Sequence, residues 1–290
     1  MVKKAANPEP DSENGEGETD GEVQENGALD DVALQPGPNA DSAADIERYI
    51  SADVRALYDV FSYRHAAAIL ANEFPAALRE IEQALLAFRI TIRDIGAPGG
   101  NESVMPKKFS RTLRPLGWVE SRIQGDLVVR LKRFGELISA DGKTKKVKLA
   151  DDEPRLIENF IDGHKIDYVK GRVAFDLEWN SKDQTFDRDL YALRAFHECG
   201  LISAGVMVTR SASLNPVFDV VPQLTKTGEP ELHGTGRQAG QPKTVKAKYG
   251  ASTTWMGKLL YRLNAGRHGG CPVLAFGITP RLIEDWNPQA

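Results

Sequence analysis

The sequence predicts an α/β protein built on a mixed central β-sheet flanked by helices. Three successive features predict it. Two short alternating segments, Lys165–Lys170 and Val173–Asn180, are separated by Gly171–Arg172, a two-residue turn with glycine first. A helical stripe of Phe186, Leu190, Leu193 and Phe196 follows and stops at Gly200. The apolar run Leu201–Thr209 then reads as a buried strand. Strand, helix, strand in that order places helices against a mixed sheet.

From the start of the chain, residues 1–43 are expected to be a disordered acidic tail, because a Gly-, Glu-, Asp- and Pro-rich segment without aromatics cannot bury enough surface to offset its chain entropy. Residues 44–290 are expected to form a single domain. Ile46, Ile50, Val54, Leu57 and Phe61 recur at helical spacing. A short helix is expected around His65–Leu70, and a longer one from Pro75 to about Phe88, with Leu78, Ile81, Leu85 and Leu86 on one side. Arg89–Ile95 alternates like a strand and Gly96–Asn101 reads as a loop. Lys107, Lys108, Arg111 and Arg114 form a basic cluster. Val119–Leu131 predicts one or two strands, Lys143–Lys148 a basic loop, and Glu153–Phe160 a short helix. Beyond the buried strand, Pro222–Gly250 reads as an extended loop, Thr253–Leu263 as a helix and Cys271–Ile278 as the closing strand.

Composition narrows the function. No apolar run approaches the ~20 residues that span a bilayer. The N-terminal region lacks the apolar stretch of a secretory signal and is too acidic for a mitochondrial presequence. The two cysteines, Cys199 and Cys271, form no CxxC pair, which fits a reducing cytoplasm and argues against a disulfide scaffold or zinc site. The five histidines show no metal-ligand spacing, and the glycines at 234, 236 and 240 do not follow a strand as a nucleotide cradle would. Residues 1–45 hold twelve acids and two bases, a net of −10 against −4 for the whole chain, which leaves +6 on the rest. A basic body suits a polyanionic partner.

The chemistry-bearing feature is the segment VAFDLEWN. Side chains alternate faces with period two, so Val173, Phe175, Leu177 and Trp179 share an apolar face while Asp176, Glu178 and Asn180 share the other. A two-residue turn pairs Lys170 with Val173, Val169 with Ala174, Tyr168 with Phe175 and Asp167 with Asp176. Opposed residues lie ~5 Å apart at Cβ, with Glu178 the diagonal neighbour of Asp167 at ~7–8 Å. Three carboxylates on one patch repel unless a proton or cation lies among them. A hard divalent ion such as Mg²⁺ accepts such oxygen ligands and serves phosphodiester hydrolysis. On this reading Asp167 and Asp176 hold the ion, and Glu178 binds an ion or orients and deprotonates the attacking water.

Residues 166–210 resemble the core of the BglII-like restriction endonucleases, a branch of the PD-(D/E)XK nucleases. RHAAAIL (64–70) with ALREIEQALLAF (77–88), LRPLGW (113–118) and CPVLAFGITPRLIED (271–285) extend the likeness over most of residues 60–285. The resemblance implies a restriction-endonuclease-like core and Mg²⁺-dependent, sequence-specific double-strand cutting of DNA. It makes Asp167 the first metal-binding aspartate, Asp176 the second acid, and the carbonyl of Leu177 a further ligand. Glu178 stands where most of the superfamily has lysine and this branch often has glutamine; a glutamate resembles the BamHI-like variant. An alternative alignment makes Glu178 the second acid and Asn180 the variable position, and needs a hairpin two residues longer.

The resemblance also implies a homodimer on a palindromic site centred on GATC, with a cognate DNA methyltransferase as protecting partner. Asn180, Lys182 and Asp183 fall where the family approaches DNA, and Ser211, Ser213 and Asn215 at a second reading position; Lys170, Arg172 and Arg210 complete the expected DNA-binding set. Two other readings stay open: a repair or structure-specific nuclease on the same core, and a DNA-binding protein whose catalytic centre has decayed.

Overall fold

The computed structural model describes residues 36–98, 104–161, 165–250 and 252–287. The expected tail as far as residue 35, the end of the Gly96–Asn101 loop and His164 lie outside these residues. Residues 36–42, expected to be disordered, are tied to the fold. The Gly37 amide donates to Asn264 Oδ1 (2.8 Å), Ala40 bridges Tyr63, and Asp41 accepts from the His65 amide (2.9 Å). Residues 36–42 are thus ordered where composition suggests otherwise, because specific hydrogen bonds replace the apolar burial that this stretch lacks.

The elements in chain order are α1 (Ala43–Tyr49), α2 (Ala52–Leu57), β1 (Tyr58–Tyr63), α3 (Ala66–Glu73), α4 (Pro75–Ala87), α5 (Ile92–Gly96), α6 (Val104–Leu113), β2 (Val119–Arg122), β3 (Gly125–Val129), β4 (Phe134–Ile138), β5 (Thr144–Lys148), β6 (Arg155–Ile161), β7 (Lys165–Lys170), β8 (Val173–Glu178), α7 (Thr185–Glu198), β9 (Ala204–Arg210), α8 (Asn215–Val220), α9 (Met256–Asn264) and β10 (Val273–Ile278). Six strands form one sheet in the order β1-β10-β9-β8-β7-β2. The β10–β9 and β9–β8 pairs are parallel; β1–β10, β8–β7 and β7–β2 are antiparallel. The expected mixed sheet is therefore present, with β8 and β9 at its centre.

Helices cover both faces. Val173, Phe175, Leu177 and Trp179 point into a core shared with α3, α4 and α6, whereas Ala174 points into a second core under α7 and α9. Pro75 opens α4 at its first position, and Leu78, Ile81 and Leu85 form its buried stripe, as their spacing predicts. Phe175 packs its ring against Phe109 and Tyr168, with centroids 5.3 and 5.6 Å away.

Several sequence expectations are overturned. The helix through Phe61 breaks at Ile50, and Tyr58–Tyr63 is instead the edge strand β1, paired residue for residue with β10. Its aromatic residues Tyr58, Phe61 and Tyr63 and its β-branched Val60 suit a strand, and sheet pairing overrides the accidental helical spacing. Arg89–Ile95 makes only the Ile90–Ile283 bridge before a Thr91/Asp94 capping box starts α5. Lys143–Lys148 and Glu153–Phe160 are not loop and helix but contain β5 and β6. They pair with β4 and β3 in two two-stranded ribbons between β2 and β7. These ribbons leave Phe134, Leu137, Ile138, Leu156 and Phe160 exposed. A strand with no buried face carries no forced alternation, so the pattern that reveals strands elsewhere is missing.

Phe175→Ala is expected to lower stability by about 3–5 kcal/mol. Chemical denaturation should show a lower midpoint at an unchanged slope; an unchanged midpoint would contradict the packing described.

Candidate active site

The β7–β8 hairpin positions the acids. Gly171 sits at φ +55°, a conformation that glycine adopts without strain. The observed register is Lys170↔Val173, Val169↔Ala174 and Tyr168↔Phe175, as the two-residue turn requires. One step further along the hairpin, Asp167 comes close enough to Asp176 to raise the Asp176 carboxyl. The longer hairpin that the alternative alignment needs is not formed.

Because β8 is interior to the sheet, both of its faces are buried, and Asp176 and Glu178 are only 4% and 7% exposed. Burial raises the Asp176 carboxyl well above the usual carboxylate range, and the charges of Asp189 and Asp167 add to this. Glu178 is also raised, chiefly by burial, against the opposing effects of hydrogen bonds from Ser181 and Asp189 and of the Arg188 charge. Both carboxyls therefore hold their protons more tightly than isolated ones do.

Asp189 is the member that sequence reasoning missed. It lies on α7, is 1% exposed, and is pushed up to about 8 by burial and by the Glu178 charge. Its Oδ2 is buried with no hydrogen-bond partner, while Oδ1 receives Arg188 Nε (3.2 Å) and Nη2 (3.1 Å). Arg188 Nη2 also stands 3.7 Å from Glu178 Oε1. The signal was available: Asp189 falls three residues after Phe186 and four before Leu193, inside the apolar stripe of its helix. Four carboxyls thus meet where β7, β8 and α7 come together.

These are all oxygen donors, suited to a hard divalent ion. As the side chains stand, however, no three His, Cys, Asp or Glu residues among those described are arranged to hold a metal. Leu177 lies between Asp176 and Glu178 with its side chain in the opposite core.

The expected DNA-binding residues divide. Asn180, Lys182 and Asp183 follow the acids directly; Asn180 donates to the Lys248 carbonyl (3.3 Å), Lys182 is exposed, and Asp183 lies 3.7 Å from Arg262. Ser213 and Asn215 are exposed at the start of α8. Ser211 is instead buried, capping the 3₁₀ turn Ala212–Leu214 and donating to Asp59. Lys170 and Arg172 sit at the turn end of the hairpin, away from Glu178. Lys170 is paired with Glu80 (2.6 Å), and Arg172 donates to Gly200 O (2.8 Å) and Ser203 Oγ (2.9 Å).

Arg210 needs the largest correction. It is 1% exposed and donates to Trp179 O, Thr254 O and Thr253 Oγ1, with Tyr249 and Phe218 rings over its guanidinium. Burial lowers its pKa to about 10, so it remains charged at neutral pH. It braces the chain where β8 ends rather than presenting a cation to a ligand.

Comparison with known proteins adds the following. The family model for restriction endonuclease BglII/BglIII matches residues 58–278. That stretch begins and ends on the Tyr58↔Ile278 pair that joins the edge strand β1 to β10. Among solved structures, the chain is similar to the crystal structure of restriction endonuclease BglII complexed with a DNA 16-mer. The identity is 13% and the TM-score 0.43, over 79% of this chain and 78% of that one. No curated protein matches.

The Asp189 carboxyl has a testable pH signature. It keeps its proton in the folded chain up to about 8, whereas an ordinary aspartate loses it near 3.8. The folded state therefore binds the extra proton across that window, and stability falls as pH rises through it. Asp189→Asn removes this loss. In thermal melts with chelator present, the melting temperature of the variant relative to wild type should rise progressively from pH 4 to pH 8. A pH-independent difference would count against the assignment.

Proposed function

The chain belongs to the restriction endonuclease BglII/BglIII family, and from this we propose that it is a type II restriction endonuclease that makes sequence-specific double-strand cuts in DNA by Mg²⁺-dependent phosphodiester hydrolysis. The observation that carries the proposal is the meeting of Asp167, Asp176 and Glu178 on the β7–β8 hairpin, within the family-matched stretch.

The donors fit a magnesium ion in kind: hard oxygens, mutually repelling once ionised, beside a buried Asp189 oxygen that lacks a partner. Asp167, Asp176 and the Leu177 carbonyl would hold the ion. When bound, it would neutralise charge developing on the phosphate and acidify the attacking water. Glu178 either joins the ligands or orients that water and takes its proton. The near-absence of solvent around Asp176 and Glu178 strengthens each of these electrostatic effects.

On this reading Asn180, Lys182 and Asp183 approach DNA beside the acids, and Ser213 and Asn215 face it from the start of α8, where amide and hydroxyl groups suit base edges. The family reading extends to a homodimer on a palindrome, with GATC as the centre to test first, and to a methyltransferase that protects the host site.

Incubation of the protein with phage DNA and Mg²⁺ tests the proposal. Discrete fragments are expected. A smear or junction-dependent nicking would indicate a repair or structure-specific nuclease, and binding without cleavage a decayed centre. Asp167→Ala and Asp176→Ala should each lower cleavage by at least about a thousandfold while DNA still binds in gel-shift experiments. Full activity in either variant would refute the site. Glu178→Ala should lose more activity than Asn180→Ala, and the reverse order would restore the alternative alignment.

A further inference from the structure

Four carboxyls surround this site, and none of them brings positive charge to a phosphate. Arg188 stands beside the acids. Its guanidinium lies 3.7 Å from Glu178 Oε1 and 3.1 Å from Asp189 Oδ1.

Two features separate this contact from a fixed structural ion pair. First, Nε and Nη2 both address the single oxygen Oδ1, while Oδ2 has no partner. A locked arginine–carboxylate pair uses both oxygens in a fork. Second, the Arg188 side chain is 54% exposed, whereas those of Glu178 and Asp189 are 10% and 1% exposed. The acids are fixed in the fold and the cation is at the solvent edge. A divalent ion entering among the acids competes with Arg188 for the same negative charge, so the guanidinium is the group that yields.

We propose that Arg188 is a further catalytic residue: it rests against Glu178 and Asp189 while the acids hold no ion, and turns onto the DNA phosphate at the cleavage position when an ion binds. There it adds its positive charge to that of the ion. The inference rests on the nuclease reading above.

The test uses the full chain as wild type, Arg188→Ala and Arg188→Lys, with melting temperatures confirming that each is folded. Calorimetric titration with Mn²⁺ in the absence of DNA is the first readout. Arg188→Ala should bind Mn²⁺ several-fold more tightly, because the competing cation is gone. Steady-state cleavage of phage DNA is the second. Arg188→Ala should lose about a hundredfold in kcat with little change in KM, and Arg188→Lys should recover part of the loss. Unchanged kcat in Arg188→Ala, or weaker Mn²⁺ binding, would overturn the role and leave the nuclease reading intact if wild type still cuts. A wild type that cuts no DNA with Mg²⁺ or Mn²⁺ would overturn the nuclease reading and this role with it.

Discussion

Strand β8 brings two carboxyls, Asp176 and Glu178, into a layer nearly free of water, and much of the surrounding structure answers that demand. An ionised carboxylate in such a place is costly unless it gains a proton, a cation or several hydrogen bonds. Here both acids are held toward the protonated form, Asp167 and Asp189 stand beside them, and Arg188 stands at the open side. The β7–β8 register and the placement of α7 over this end of the sheet are both needed for these meetings. A shift of one residue in the hairpin would turn Asp167 to the other face.

The rest of the molecule fixes the end of that strand. Arg210 reaches from β9 to the Trp179 carbonyl and to Thr254, joining the exit of β8 to the segment before α9. Trp179 donates to the Tyr249 hydroxyl, which in turn donates to the Ile95 carbonyl. The long connection after α8 is therefore anchored at Tyr249, although it contributes no strand to the main sheet. At the other end of the hairpin, Glu80 accepts from both Trp118 and Lys170, and so ties α4 to the turn. Cationic residues that look available in the sequence are used here as braces.

What was legible follows from burial. The hairpin, α7, β9 and β10 each carry a clear apolar pattern because each faces a core, and the period-two placement of Asp176 and Glu178 could be read directly. Asp167 was placed opposite Asp176 by turn length alone. Asp189 was hidden because an acid in an apolar helical stripe reads as an interruption, not as a member of a site on another element. Arg210 misled for the opposite reason. An arginine at the end of a buried strand looks like a surface cation, and only the convergence of Trp179, Thr253 and Thr254, distant in sequence, shows that it is interior. Strands β4, β5 and β6 were illegible because neither face of them is forced to be apolar, and residues 36–42 because they are held by individual hydrogen bonds.

The pairing of β1 with β10 has a consequence for how the chain reaches its working form. These strands are separated by more than two hundred residues, and β10 also supplies a parallel neighbour of β9. Long-range and parallel pairings are slow to form, because the closing of a large loop precedes the contacts that stabilise it. During synthesis the acid hairpin emerges well before residues 273–278, so β9 lacks one of its two neighbours and the layer around Asp176 and Glu178 is incomplete. The chemistry assigned to these acids depends on that dry layer, and it is completed only when the last strand is added.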